Sequence, residues 1–224
     1  MKVRGVIWDM DGTILDTLED LWTSTNAALA ESGMPGRSRE EVRAFVGNGL
    51  RVLMEKAVPA GTSPQDLERA MDAFVAYYAI HSRDRTCPYP GIVQTLLRLK
   101  EEGIRQGVVS NKVDFAVQQL SRDFFSGLLE VAVGDAQGRR RKPAPDSVWH
   151  AMALLGLSPE ETVYIGDSEV DVETARNAGI PALLVTWGFR TREQLLSAGA
   201  IRLAESPEEI PQLLLAMEEE IPET

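Results

Sequence analysis

The feature that most constrains this chain is an apolar run that ends abruptly in carboxylates. The apolar composition predicts a buried parallel strand over Val3 to Trp8, and Asp9 and Asp11 follow it directly. A second apolar stretch, Thr162 to Ile165, leads in the same way to Asp167. Because open α/β sheets bind their ligands beyond the carboxyl ends of the strands, we expect the two acidic strand ends to meet at one edge of a sheet.

The second half of the chain alternates between helical and strand patterns. Repeated alternation of this kind predicts right-handed crossover units and a Rossmann-like parallel sheet flanked by helices. In chain order, the predicted elements are a helix over Ile92 to Glu102, a strand over Arg105 to Val109, a helix over Phe115 to Arg122, a strand over Glu130 to Val133, a helix over Asp146 to Leu155, a strand over Thr162 to Ile165, a helix over Val170 to Ala178, a strand over Ala182 to Val185, and a last helix near Pro207 to Met217.

Residues 16–85 show a different pattern. Their apolar residues recur at helical spacing, and turn signals interrupt them at Ser32 to Gly36, Gly47 to Gly49 and Pro59 to Thr62. Almost nothing in this stretch predicts a strand. We therefore predict an α/β core built from residues 1–15 and 86–224, with an all-helical insert over residues 16–85.

Composition narrows the function classes. The 224 residues include 23 basic and 34 acidic side chains, which give a net charge of −11. Such an acidic chain is a poor candidate for broad binding of nucleic acid or anionic lipid. Cys87 is the single cysteine, and we see no signal-peptide pattern or membrane-spanning run. We expect a soluble, cytoplasmic protein, monomeric or homodimeric, whose partner is a small molecule.

The acidic strand ends suggest a metal site. Asp9 and Asp11 lie two residues apart, so on an extended strand they point to the same side. An isolated pair of this kind is usually a solvated loop feature, but here it is joined by Asp167. Crowded carboxylates raise each other's pKa unless a cation joins them, and oxygen ligands suit Mg²⁺. One aspartate could then act as a nucleophile while the other carries a proton.

Four further polar residues could act at the same site. Ser110 and Asn111 come after the strand ending at Val109, where they could cap a helix or hold phosphate oxygens at its N-terminus. Lys142 precedes a proline, which favours an extended backbone from which an ammonium could reach a phosphoryl oxygen. Asp171 falls in the first turn of a predicted helix. Its negative charge could interact favourably with the helix dipole there, or its carboxylate could support the metal or Lys142.

Together these segments resemble the four motifs of the haloacid dehalogenase superfamily, in order and at similar spacing. The motifs are Asp9 to Asp16, Ser110-Asn111, Lys142-Pro143 and Gly166 to Asp171. The resemblance spans nearly the whole chain, and it implies that the helical insert is the family's cap domain. It further implies a Mg²⁺-dependent phosphomonoester hydrolase that acts on a small phosphorylated metabolite.

The resemblance also implies a role for each motif residue. Asp9 would attack phosphorus and form an aspartyl-phosphate, while Asp11 would protonate the leaving alkoxide and then activate water. Mg²⁺ would be held by the carboxylates of Asp9 and Asp167 and by the backbone carbonyl of Asp11. This fits the general rule that phosphoryl transfer needs positioning and charge neutralisation. The phosphoryl oxygens would be neutralised by Ser110, Asn111 and Lys142.

Within the predicted cap, Phe45 to Gly49 is similar to the bacterial phosphoglycolate phosphatase branch of the superfamily. On the simplest interpretation, the turn at Gly47 to Gly49 is only a flexible connection between two helices. Alternatively, the exposed backbone N–H groups of the turn Gly47-Asn48-Gly49, the Asn48 amide and Arg51 meet a small carboxylate such as that of 2-phosphoglycolate. The chain departs from the branch at Val113, where a proline is expected.

Three other functions fit the same motifs. A phosphosugar mutase of the β-phosphoglucomutase kind shares both motif aspartates, but it must protect its phosphoenzyme from water. A pyrophosphatase would use the same chemistry on another phosphate compound. A non-catalytic regulator would bind phosphate without turnover, and the intact acid pair argues against it.

Overall fold

A parallel six-stranded sheet forms the centre of the protein in the computed structural model, which describes residues 2–219. The strands of the chain are β1 (Gly5–Trp8), β2 (Leu15–Asp16), β3 (Cys87–Pro88), β4 (Arg105–Val113), β5 (Val131–Asp135), β6 (Thr162–Gly166), β7 (Ala182–Val185) and β8 (Leu203–Ala204). The sheet order is β5-β4-β1-β6-β7-β8, with parallel pairing throughout. The strands β2 and β3 form a separate antiparallel pair.

Helices cover both faces of the sheet. The helices are α1 (Leu18–Glu31), α2 (Arg39–Phe45), α3 (Gly49–Ala57), α4 (Pro64–His81), α5 (Ile92–Glu101), α6 (Asp114–Phe125), α7 (Asp146–Leu155), α8 (Glu169–Ala178), α9 (Arg192–Ser197) and α10 (Ile210–Glu219). Alternate residues of a strand face opposite sides of a sheet. Accordingly, Val6 and Trp8 pack with α5, α6 and α10, whereas Ile7 packs with α7 and α8. This three-layer arrangement confirms the predicted Rossmann-like fold.

The four helices α1 to α4 pack around a second hydrophobic cluster that includes Leu29, Met54 and Phe74 and also takes in Ala116 and Phe189. Local sequence explains where these helices begin. Ser63 caps α4 by accepting the backbone N–H of Asp66, and α2 starts with a reciprocal capping box. The pair β2–β3 lies at the two ends of this helical stretch, so the chain enters and leaves it side by side.

The predicted elements are present, with shifted ends. Strand β4 continues four residues beyond the predicted end at Val109, and the last helix begins at Ile210 after a short 3₁₀ turn. Sequence analysis missed α9 and the two-residue strands β2, β3 and β8. A two-residue strand shows no periodicity, so pattern analysis has nothing to detect. Within residues 2–219, no helix is both long enough and apolar enough to cross a bilayer.

Candidate active site

The two acidic strand ends lie side by side. Strands β1 and β6 are neighbours in the sheet, and the backbone N–H of Asp9 donates to the carbonyl of Ile165 at 2.7 Å. Carboxylate oxygens of Asp9, Asp167 and Asp171 lie within 4.8 Å of one another, and all three residues are buried. The sheet register therefore brings together two of the predicted acids, Asp9 and Asp167, and the third member of the cluster is Asp171 rather than Asp11.

The turn after β1 leaves room for only a glycine. Gly12 adopts a φ of +87°, a conformation that residues with a side chain rarely adopt. A β-carbon at this position would also collide with the carboxylate of Asp167. Gly12 therefore allows the turn after β1 to pass directly against the end of β6.

The ammonium group of Lys142 lies inside this cluster. Its Nζ donates to Asp9 Oδ1 at 2.7 Å, to Asp171 Oδ1 at 2.8 Å and to the Tyr164 hydroxyl at 2.9 Å. The side chain is only 3% exposed. All three N–H donors of the ammonium are therefore used, and the lysine partly neutralises two buried carboxylates.

Burial shapes the charge of the cluster. Burial raises the pKa of Asp9 to about 7, although Lys142 opposes the shift. Burial, with the charges of Asp171 and Asp9, raises the pKa of Asp167 well above its ordinary value. For Lys142, burial favours the neutral form, but the charges of Asp171 and Asp9 raise its pKa above the usual range. One ammonium is therefore too little positive charge for three buried acids.

Asp171 supports its neighbours with both carboxylate oxygens. Oδ1 accepts from Lys142, and Oδ2 accepts from the backbone N–H groups of Asp167 and Ser168 and from the Ser168 hydroxyl. The contact with Ser168 is also the capping box of α8. Asp171 thus lies in the first turn of α8, where a carboxylate suits the helix dipole, and it also contacts Lys142.

Asp9 and Asp167 offer oxygen ligands that suit a divalent cation. Asp167 Oδ2 accepts the backbone N–H of Phe189 at 2.5 Å, and within residues 2–219 no lysine or arginine lies within ion-pair distance of its carboxylate. Hard carboxylate oxygens are the ligands that Mg²⁺ prefers. The donor set and the shortage of positive charge both fit such an ion.

Asn111 has a different set of contacts from the one predicted. Its side-chain Nδ2 donates to the carbonyls of Gly47 and Lys142, both at 3.0 Å, and its Oδ1 accepts the Lys142 N–H at 2.8 Å. Both amide N–H donors are thus used on backbone, and none is left for a phosphoryl oxygen. Ser110 lines the same cavity as Asp9, and its predicted contact with phosphate stays a prediction.

Asp11 is held by two donors. The Thr17 hydroxyl donates to Asp11 Oδ1 at 2.6 Å, and Lys112 Nζ lies 3.0 Å from the same oxygen. Lys112 also donates to the Tyr78 hydroxyl of α4 at 2.9 Å. Sequence analysis did not single out Lys112. The available signal was its position directly after Ser110 and Asn111.

A cavity extends from the carboxylate cluster towards helices α1, α3 and α4. The end nearest the carboxylate cluster is lined by charged groups, and the far wall is apolar. Gly47 lines this cavity, as predicted, but Asn48 and Arg51 do not. The Arg51 guanidinium instead pairs with Glu68 at 2.8 Å, and its side chain is 43% exposed. The structure therefore brings only one of the three predicted specificity residues to the cavity.

Two arginines join α2 to the loop after β7. Arg43 donates to the carbonyls of Gly188 and Phe189, while Arg190 donates to the carbonyls of Arg43 and Val46. The same loop supplies the Phe189 N–H that binds Asp167. These reciprocal hydrogen bonds attach the helical layer, which consists of α1 to α4, to the loop beside the acidic cluster. Sequence analysis did not anticipate them.

Comparison with known families agrees with this geometry. The sequence model of the haloacid dehalogenase-like hydrolases matches residues 6–185. The chain belongs to this family. The match covers β1 through β7, so it includes each of the four motifs on which the resemblance was based.

Several similar proteins are named as phosphatases. A phosphoglycolate phosphatase of Caulobacter vibrioides is 32% identical over 216 residues, covering 95% of this chain and 91% of that protein. An N-acetylmuramic acid 6-phosphate phosphatase of Pseudomonas aeruginosa is 31% identical, covering 96% of each. A crystal structure from Lactobacillus delbrueckii subsp. bulgaricus, provisionally assigned as a phosphoglycolate phosphatase, has a TM-score of 0.91 and 34% identity, covering 96% of this chain and 99% of that one. The prediction of a phosphatase of this family is confirmed.

Proposed function

We propose that this protein is a Mg²⁺-dependent phosphomonoester hydrolase that works through an aspartyl-phosphate on Asp9. The observation that carries the proposal is the placement of Asp9. Its carboxylate contacts the Lys142 ammonium, lies beside Asp167, and shares a cavity with Asp11 and Ser110. A nucleophile, a proton carrier and phosphate-binding groups are thus gathered at one end of a partly enclosed cavity.

The chain's own residues supply the covalent and proton-transfer steps. A carboxylate oxygen of Asp9 attacks phosphorus and forms the acyl phosphate, while the bond from phosphorus to the ester oxygen breaks. Asp11 gives its proton to the departing alkoxide and then takes a proton from the water that hydrolyses the intermediate. The Lys142 ammonium, whose three donors are already used, neutralises phosphoryl charge through its position against Asp9, and the Ser110 hydroxyl binds a phosphoryl oxygen. Asn111 acts indirectly, because its amide fixes the backbone of Lys142.

Asp9 and Asp167 would hold the metal ion with their carboxylates, together with the backbone carbonyl of Asp11. Bound there, Mg²⁺ would neutralise phosphoryl charge and act as a Lewis acid. Its presence would also supply the positive charge that the buried acids lack. Asp171 would remain a supporting residue, since both of its oxygens already have partners.

Residues 16–85 form the cap in this proposal, with residues 1–15 and 86–224 as the catalytic core. The cap would enclose the leaving group and exclude water. The first ester to test is 2-phosphoglycolate, which the name of the Caulobacter vibrioides relative supports. The Pseudomonas aeruginosa relative is named for a larger sugar phosphate that also carries a carboxylate. Both names favour a carboxylated phosphate ester as the substrate.

Removing the metal tests the proposal. We expect chelation with EDTA to reduce phosphate release from 2-phosphoglycolate by at least about a hundredfold, and Mg²⁺ in excess of the chelator to restore it. The measurement is a colourimetric phosphate-release assay on the wild-type protein. The calcium-loaded chelator provides the matched control for nonspecific effects. Full activity in metal-free buffer would contradict the proposed role of Mg²⁺.

The raised pKa values predict how metal binding depends on pH. Burial raises the pKa of Asp9 to about 7, so below that pH Mg²⁺ must displace a proton from Asp9. Burial also raises the pKa of Asp167, so protons compete with Mg²⁺ for this carboxylate more strongly than for an ordinary aspartate. We therefore expect Mg²⁺ to bind more weakly as the pH falls, by about tenfold per pH unit for each proton displaced. Isothermal titration calorimetry between about pH 5.5 and 8 measures this slope. A Mg²⁺ affinity that does not change over this interval would show that the cluster binds the ion without releasing protons.

A further inference from the structure

The Lys112 ammonium has one N–H donor for which residues 2–219 offer no partner. Its ammonium pairs with Asp11 Oδ1 at 3.0 Å and donates to the Tyr78 hydroxyl at 2.9 Å, and its side chain is only 6% exposed. An ammonium has three N–H donors. In the part of the chain that the structure describes, no third partner lies within hydrogen-bond distance. A buried cation with a spare donor therefore faces the cavity.

The other cations that line the cavity are already matched. Lys142 uses its three donors on Asp9, Asp171 and Tyr164 at the phosphoryl end. Arg190 makes a bidentate pair with Glu169, and its remaining contacts go to backbone carbonyls of the helical layer. Lys112 is thus the cation that lines the cavity between the carboxylate cluster and the apolar wall.

The surroundings of Lys112 favour a strong interaction with an anion. The wall contributed by the helical layer includes Leu21, Val46, Leu53 and Phe74, all of which are buried. Few polar groups compete there, and a charged hydrogen bond is stronger in such low-dielectric surroundings. An anionic substrate group enclosed by this wall would be costly without a cation beside it. The geometry therefore favours an anion at Lys112.

We infer that Lys112 binds a carboxylate carried by the leaving group, one carbon away from the ester oxygen. The inference rests on the proposed function, in which Asp11 protonates that oxygen and so lies about 3 Å from it. Lys112 Nζ lies 3.0 Å from Asp11 Oδ1, which places Nζ within about 6 Å of the ester oxygen. A carboxylate at that separation, as in 2-phosphoglycolate, reaches the ammonium. A carboxylate on the far side of a sugar leaving group does not reach the ammonium.

The test compares two esters in two proteins. Ethyl phosphate has a methyl group where 2-phosphoglycolate has its carboxylate, so the ratio of their kcat/KM values isolates the contribution of the carboxylate. We expect the wild-type protein to prefer 2-phosphoglycolate by about thirtyfold or more, and Lys112→Met to reduce this preference at least about tenfold. Absolute rates on both esters will also fall, because Lys112 contacts Asp11. A loss that affects both esters equally cancels in the ratio of their kcat/KM values.

Lys56→Met is the matched control, because Lys56 lies exposed on α3 and the side-chain change is identical. It should leave the preference unchanged. If Lys112→Met does not fold, Lys112→Gln tests the same loss of charge. The wild-type comparison alone also suffices to reject the inference, since equal kcat/KM values for the two esters would overturn it.

The outcomes separate this inference from the proposed function. An equal loss on both esters in Lys112→Met would mean that Lys112 only positions Asp11, which overturns the inference and leaves the hydrolase intact. If neither ester, nor any other in a phosphate-ester panel, releases phosphate with Mg²⁺, the proposed function fails and the inference fails with it. A preference for 2-phosphoglycolate over ethyl phosphate that is large in the wild type and lost only in the Lys112 variants supports both the proposed function and the inference.

Discussion

Replacing Asp9 by asparagine will reduce phosphate release by at least about a thousandfold. The amide cannot attack phosphorus, so the covalent route is closed. The fold should survive, because asparagine has nearly the same shape and the backbone bond from Asp9 to Ile165 is unaffected. The measurements are kcat on 2-phosphoglycolate with saturating Mg²⁺ and the circular dichroism spectrum of the variant.

Asp72→Asn provides the matched control for this experiment. Asp72 is exposed on α4, so the same chemical change should leave kcat within about twofold of the wild type. The Asp9 variant should also fail to incorporate phosphate covalently when the reaction is quenched in acid. Retention of more than about a few per cent of the wild-type kcat would contradict the assignment of Asp9 as the nucleophile.

Replacing Lys142 by methionine will affect stability as well as turnover. The substitution leaves Asp9 and Asp171 buried without the ammonium that now contacts both. Breaking a buried charge pair from one side costs about 3–5 kcal/mol. We therefore expect the free energy of unfolding of the metal-free protein to fall by about this amount. We also expect kcat with Mg²⁺ to fall by at least about a hundredfold, because a phosphoryl oxygen loses its cation.

Urea unfolding followed by tryptophan fluorescence measures the change in stability. Lys100→Met is a suitable control, since Lys100 is exposed on α5 and donates only to the carbonyl of Gly127. Its unfolding free energy should change by less than about 1 kcal/mol. If Lys142→Met unfolds at the same urea concentration as the wild type, the ammonium does not balance the buried acids in the way the distances indicate.

The meeting of Asp9 and Asp167 was predictable because it follows from few rules. Parallel strands place their carboxyl ends at one edge, and the apolar runs before Asp9 and Asp167 marked two such strands clearly. Lys142 was recognisable from its place in the motif series. These predictions depended on local pattern and chain order, both of which the sequence contains directly.

The contacts that cross between the helical layer and the sheet were not predictable in this way. The Lys112 ammonium meets Tyr78, which lies on a helix 34 positions earlier, and no periodicity links the two residues. The Asn111 amide was expected at phosphate, but its partners depend on how the backbone of Lys142 passes beside it. Contacts of this kind are set by tertiary packing.

The position of Arg51 shows the same limit on a single helix. Leu50 and Leu53 of α3 line the cavity, while Arg51 pairs with Glu68 outside it. Neighbouring helical residues point about 100° apart, so adjacency to Leu50 does not place Arg51 in the cavity. The sequence indicated which residues belong to the helix, and only the packed structure shows which of them face the cavity.

The two ends of the cavity come from separate stretches of the chain. The charged end is built from the turns after strands, where a position such as Gly12 accepts no side chain. The apolar end comes from side chains such as Leu53 and Phe74, and exchanges among hydrophobic residues of similar volume are well tolerated. An engineer could therefore retarget this enzyme to a different alcohol by library mutagenesis of the helical wall, while keeping the reactive centre unaltered.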